Sequence, residues 1–262
     1  MRNTFYHNPN QQKYSFPMNS IFRPSILFFA SFNLLSASPF TKDVESKLCT
    51  VWKSDDSAHL QVASQKLAGE VTRGGLVLRT SDSTSDSDFQ VKAVALGRGV
   101  TEQLARSGNV SIDDSVIKYA RPLVTEEYRV GMDGVRQDFL VHERPEGRGD
   151  LRVGLSVDGA SVLICKSFVK LTLDQSGREL VYQKLKVTDA TGRELPARFE
   201  VGLESDLEIQ VDDSTATYPI RIDPTFTDAD WIAMGGAVGI PNALLINIKS
   251  CQACLISIPT NP

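Results

Sequence analysis

Leu151, Val153, Leu155 and Val157 occupy every second position of the chain, with Arg152, Gly154 and Ser156 between them, and Asp158-Gly159 closes the run. Strict alternation puts one set of side chains on a buried face and the other in water, which is the pattern of a half-buried strand. The pattern recurs at Val169, Leu171 and Leu173, at Leu185 and Val187, and at Phe199 and Val201. It recurs again at Leu207, Ile209 and Val211, then at Tyr218, Ile220 and Ile222, and stops near Pro224. Turn residues separate the runs. Between Tyr128 and Val141 two runs meet at Asp133-Gly134, which predicts a tight hairpin, because glycine takes a positive φ without a Cβ clash. Pro219 lies within the last run and cannot donate to a ladder, so that strand is expected at a sheet edge or facing solvent.

Helical signals are weak. Thr101 to Arg106, followed by Ser107-Gly108, is expected to form a turn or two of helix. No repeat of fixed period is present, so a complete propeller is not encoded here. Short alternating runs with turn chemistry between them predict an all-β fold, an antiparallel β-sandwich. The sandwich is expected over residues 58–223, as one large unit or two small ones. Residues 39–57 read as a linker and Ser81 to Asp88 as a polar loop. Residues 224–262, where Gly235, Gly236 and Gly239 interrupt the alternation, read as a linker and an atypical tail.

The N-terminus has a different pattern. Arg23 precedes an apolar core from Ile26 to Leu35, followed by Ser36-Ala37-Ser38 and Pro39. A cationic flank, a short apolar core and small residues before a proline predict a secretory signal peptide over residues 1–38, with Met18 as an alternative start. The expected location is therefore outside the cell or on its surface. The first cysteine after the core is Cys49, so no lipid anchor is expected at the cleavage site. No other segment approaches 18 apolar residues, so no membrane span is expected in the mature chain.

Composition narrows the chemistry. In 262 residues, 28 Lys and Arg face 32 Asp and Glu, a formal charge of −4, so no global basic field points to nucleic acid. Four cysteines are too few for a disulfide scaffold. Cys49 and Cys165 could pair after export, which spacing alone leaves open. Cys251 and Cys254 form a C-x-x-C without the two further ligands that zinc needs. Asp82, Asp86 and Asp88 are weak candidates for a hard cation, since calcium takes several oxygen ligands, but they lack the spacing of a calcium loop. His59 and His142 are the only histidines after the leader, and His142-Glu143 is a nominal base pair best read as a surface histidine. Glu126-Glu127 and the pair Glu143 and Glu146 resemble glycosidase acids only in type, and are expected to be exposed. Neither G-x-S-x-G nor H-E-x-x-H occurs, and no cofactor is expected.

Three stretches carry a resemblance. They are Glu127 to Leu151 through Arg136-Gln137-Asp138-Phe139, Leu185 to Arg198 through Thr188-Asp189-Ala190-Thr191-Gly192, and Ala216 to Phe226 through Tyr218-Pro219-Ile220-Arg221. Together with Asp228-Ala229-Asp230-Trp231 they resemble the N-terminal β-rich region of large secreted bacterial surface proteins that carry propeller-type β-repeats downstream. The resemblance implies a non-enzymatic leader domain with a structural or adhesive role, and an extracellular ligand or cell-surface component as partner. It transfers no catalytic residue. Where repeats would begin, the chain reads Pro241-Asn242-Ala243-Leu244, which implies a product truncated before them. Two other roles have distinct requirements. A carbohydrate- or matrix-binding accessory module of a secreted hydrolase needs Tyr128, Tyr182, Tyr218, Trp52 and Trp231 on one exposed face. A hydrolase needs clustered acids with perturbed pKa values in a concave pocket.

Overall fold

The computed structural model describes residues 48–82, 85–202 and 205–233. The side chains of residues 81–87, of Trp231 and of Ala233 fall outside that description, as do the leader and the tail with its C-x-x-C. The described chain folds into two antiparallel sheets that enclose one core, as the alternation predicts.

The first sheet begins with a meander. Strands β1 (Cys49–Ser54), β2 (Ser57–Val62), β3 (Leu67–Thr72) and β4 (Gly75–Asp82) follow one another, and a 3-10 turn at Ala63–Gln65 separates β2 from β3. The long β5 (Ser85–Arg98) pairs with β4 through its first residues and with β11 (Leu151–Asp158) through the rest. Beyond β11 lie β16 (Leu207–Val211) and β15 (Ala197–Glu200), and β6 (Val100–Gln103) folds back on β5. The second sheet has the order β12 (Ala160–Cys165), β13 (Phe168–Leu173), β14 (Glu179–Thr188), β17 (Ile220–Asp228), β10 (Gly134–Val141), β9 (Val124–Gly131), β8 (Val116–Ala120) and β7 (Asn109–Asp113). A short helix, α1 (Ala229–Ala233), follows β17. Among the described residues no helix is long and apolar enough to cross a membrane.

The alternating positions form the core. Leu151, Val153, Leu155, Val169, Leu171, Leu173, Leu207, Ile209, Val211, Ile220 and Ile222 are all fully buried. An aromatic chain crosses between the sheets. The Phe226 ring stacks on Tyr182 at 4.2 Å and meets Phe89 of the opposite sheet edge-on at 5.9 Å, and Tyr182 reaches Phe199 at 5.6 Å. The expected hairpin is present with a small change. Gly131 pairs with Gly134, so the two turn residues are Met132 and Asp133, and Gly134 opens β10. A Cβ on Gly134 would lie 1.8 Å from the Phe226 carbonyl oxygen, and φ is +123° there, so the neighbouring strand as well as the turn requires glycine.

Several expectations are corrected. Thr101 to Arg106 is not helical: Gly99, at φ +72°, reverses the chain so that Val100 to Gln103 pair with β5. A polar segment this short cannot sustain an isolated helix, whereas a waiting strand edge supplies partners. Ser81 to Asp88 is not a free loop, because Asp82 pairs with Ser85 and Arg79 with Asp88 along the β4–β5 hairpin. Sheet structure begins at Cys49, inside the stretch read as linker, and runs to Asp228, past Pro224. Pro219 meets solvent, one of the two expected alternatives, but does not mark an edge. It precedes the strand through a cis peptide after Tyr218, and β17 lies in the interior of its sheet. Pro224 is the proline inside a central strand. Opposite it β14 bulges, its register shifting between Gln183 and Lys186, with Lys184 at φ +57°. The bulge interrupts the ladder at the residue that has no N–H to give.

Phe226→Ala is expected to destabilise the fold by about 3–5 kcal/mol, because it empties a ring that touches aromatic side chains of both sheets. Urea denaturation should show a lower midpoint at an unchanged m-value.

Candidate functional site

Glu126 and Glu127 are neighbours on β9, so their side chains point to opposite faces of the sheet. Both were expected to be exposed, and neither is: Glu126 is 0% exposed and Glu127 6%. Each organises a cluster of its own.

Glu126 points into the sandwich. Arg121, just after β8, donates through Nη2 to its Oε1, while Tyr128 Oη and Gln137 Nε2 each donate to Oε2 at 2.8 Å. The same residues reach the other sheet. Arg121 Nη1 donates to the Ala93 carbonyl of β5 at 2.8 Å, and Gln137 Nε2 to that of Val91 at 3.0 Å. Tyr182 Oη donates to Gln137 Oε1 at 2.9 Å. The Arg121 guanidinium also lies 4.9 Å from the centre of the Tyr119 ring. Burial pushes the Glu126 carboxyl above its ordinary value, against the pull of Arg121, Tyr128 and Gln137. Burial and then the Glu126 charge push Tyr128 well up. Glu126, completed by Tyr128, holds the Arg121 and Gln137 side chains whose bonds to β5 tie the sheets together.

Glu127 points outward into a row of charges across β9, β10 and β17. Asp138 stands directly across the ladder from it, and Arg129 directly across from Arg136. Like charges facing one another would destabilise the pair of strands. The diagonal resolves this. Asp138, 0% exposed, receives Arg129, Arg221 and the Nε of Arg136 at 2.7 Å, while Glu127 receives Arg129 at 2.7 Å and Arg221 at 2.8 Å. Burial acts to raise Glu127, but the Arg221 and Arg129 guanidiniums hold it below its ordinary value. Asp223 is the exception. Burial, and then repulsion from Asp138, raise it to about 6 against the pull of Arg136 and Arg221.

Beside this row lies a groove of about 440 Å3, lined by Arg129, Arg136, Lys184, Lys186, Asp133 and Asp223. Gly131 and Gly134, which face each other across the ladder, both border it. Lys184 and Lys186 project from the bulged part of β14 on the far wall. Lys184 pairs with Asp133 at 2.6 Å, whereas Lys186, 58% exposed, has Glu194 only at 3.8 Å.

Two further clusters are internal. Asp213, fully buried, accepts from Arg98 Nη1 and Tyr218 Oη, both at 2.7 Å, and so holds the β16–β17 connection to the end of β5. Arg178 binds Asp228 and the Gln65 carbonyl, both at 2.6 Å, and Gln65 Nε2 donates to the Met132 carbonyl at 2.7 Å. These bonds join the sheets at the opposite end.

The residues singled out in the sequence are dispersed. Asp88 makes a two-pronged pair with Arg79, at 2.6 and 2.9 Å, and this hydrogen bonding holds its carboxyl below the ordinary range. The side chains of Asp82 and Asp86 lie outside the described residues. Among the described residues no group of three or more His, Cys, Asp or Glu is placed to hold a metal ion. His142 hydrogen-bonds Thr125 Oγ1 at 2.9 Å, and His59 stacks on Trp52 at 5.1 Å. Tyr128 and Tyr182 belong to the core and not to an exposed aromatic face, while Trp52 is 46% exposed on the other sheet. Cys165 is disulfide-bonded. The arginine row escaped the sequence reading. Its only local trace is the placing of Arg129, Arg136, Asp138, Arg221 and Asp223 on one alternation phase of three strands.

No protein-family model, curated protein or solved structure matches the chain.

Two outcomes are expected. Glu126→Gln should cost about 3–5 kcal/mol, because it leaves Arg121 buried without its counter-charge, whereas Glu143→Gln, at an exposed site, should stay within about 0.5 kcal/mol. Asp223 holds its proton more tightly in the folded chain than in the unfolded one, so its contribution to stability falls as pH rises from about 4 through about 6. Asp223→Asn should therefore stabilise the protein by about 1–2 kcal/mol at pH 7.5, with the difference closing towards pH 4 in paired thermal melts.

Proposed function

We propose that the chain is a non-enzymatic, exported β-sandwich module, the leader domain of an extracellular surface protein with downstream β-repeats, and that its role is structural or adhesive. The observation that carries this reading is where the ionisable side chains are used. Glu126, Asp213 and Asp228, with Arg121, Arg98 and Arg178, are joined to groups on other strands and loops at three levels of the sandwich. Glu126, the carboxylate most deeply placed among the nominal glycosidase acids, is surrounded by Arg121, Tyr128 and Gln137 inside the core. Beside the groove Asp138 is covered by three arginines, and in it Asp133 is paired with Lys184. A carboxylate so held is a poor proton carrier and a good anchor.

Export is the testable premise. Expressed as the full chain in a bacterial host, the protein is expected outside the cytoplasm, with an N-terminus just after Ser38 by intact-mass measurement. Recovery of the unprocessed chain from the cytoplasm alone would refute the reading.

A further inference from the structure

We infer that the groove between the β9–β10 hairpin and the bulge of β14 binds the acid groups of an acidic polysaccharide, carried as carboxylate or sulfate. This deepens the adhesive reading above, and rests on it for the source of the ligand.

The groove has the parts such a ligand requires. Arg136 lines it, 40% exposed, with two of its nitrogens on Asp138 and Asp223. Among the described residues its Nη1 has no protein partner, which leaves an oriented donor for an incoming anion. Arg129 is held beside it by Glu127 and Asp138, so both guanidiniums are positioned before any ligand arrives. Lys184 and Lys186 face them from β14. Cations therefore line both walls, in a chain whose formal charge is −4. A planar guanidinium suits the two oxygens of a carboxylate or sulfate, and the mobile ammonium groups tolerate spacing along a polymer.

Two carboxylates line the groove among these cations: Asp133, which is paired with Lys184, and Asp223, whose carboxyl is the one raised by its surroundings. Asp223 takes up Arg136 Nη2 while ionised. Around it stand Asp138 and Arg136 on β10, Arg221 on its own strand, Lys186 across the ladder on β14, and Arg129 and Glu127 on β9. Its carboxyl titrates at about 6, so protonation below that pH removes a negative charge and releases a guanidinium nitrogen to the ligand. Binding should strengthen as pH falls from 7.5 to 5.

The test measures equilibrium binding of the full chain to polygalacturonate and to dextran sulfate at low ionic strength, at pH 5 and pH 7.5, with double-stranded DNA as a third polyanion. The expected result is binding to one or both polysaccharides, weakened by salt because exposed charges are screened over about 10 Å at 0.1 M. Which of the two binds identifies the acid group. The doubly substituted K184Q/K186Q chain, altered only at exposed side chains, should bind at least about tenfold more weakly while melting at the wild-type temperature. Asp223→Asn should bind at pH 7.5 as tightly as the wild type does at pH 5. No binding to either polysaccharide, wild-type affinity in K184Q/K186Q, or equal affinity for DNA would each overturn the proposal. Failure here leaves export and processing as measured, so it is distinguishable from failure of the leader-domain reading.

Discussion

The sandwich depends on an ion pair at its centre. Placing Glu126 and Arg121 between two sheets removes both from water, a cost of several kcal/mol per ion that attraction alone does not reliably return. The surroundings supply the rest. Tyr128 and Gln137 complete the carboxylate, and carbonyls of β5 in the opposite sheet accept from Arg121 and Gln137. The result is directional where apolar packing is not. Leucine and valine cores tolerate sliding of one sheet over the other, but a buried guanidinium aimed at two particular atoms does not. The pair therefore specifies how the sheets are aligned.

It also specifies register within its own sheet. A slip of one residue in β9 would exchange Glu126 with Glu127 and turn every side chain to the other face. Glu126 would leave Arg121 buried alone, and Glu127 would enter the core away from Arg129 and Arg221. Since each of the two neighbouring acids has its own arginines on its own face, only one register satisfies both. Like-charge neighbours that seem unfavourable in the sequence thus act against misalignment.

This explains which parts of the structure were legible. Leu151 to Val157 and Leu207 to Val211 needed only their own alternation to declare a buried face, because burial of every second residue is local to a strand. The fate of Pro224 was not local. Its place in a central strand depends on a bulge at Lys184 that no pattern around the proline announces. Val100 to Gln103 became a strand because the exposed edge of β5 lay within one glycine turn. Glu126 looked like a solvated acid because Gln137 and the β5 strand that closes over its network come from other strands of the fold. The groove was illegible for the same reason: it is built from three strands and a bulge, and Gly134 was read only as a turn residue.

The two faces of β9 and β10 finally bear on each other. Gln137 and Asp138 are adjacent, one joined to the Glu126 network and the other receiving three arginines. A strand held by hydrogen bonds on its inner side cannot shift to relieve charge on its outer side, so the arginine row stays where the core places it. Side chains displayed from such strands are set more accurately than side chains on loops. The inner face contributes alignment, and the outer face inherits it as a fixed array of cations around Asp138. Charges that a mobile surface would disperse are thus kept together beside a groove on the flat of the sheet.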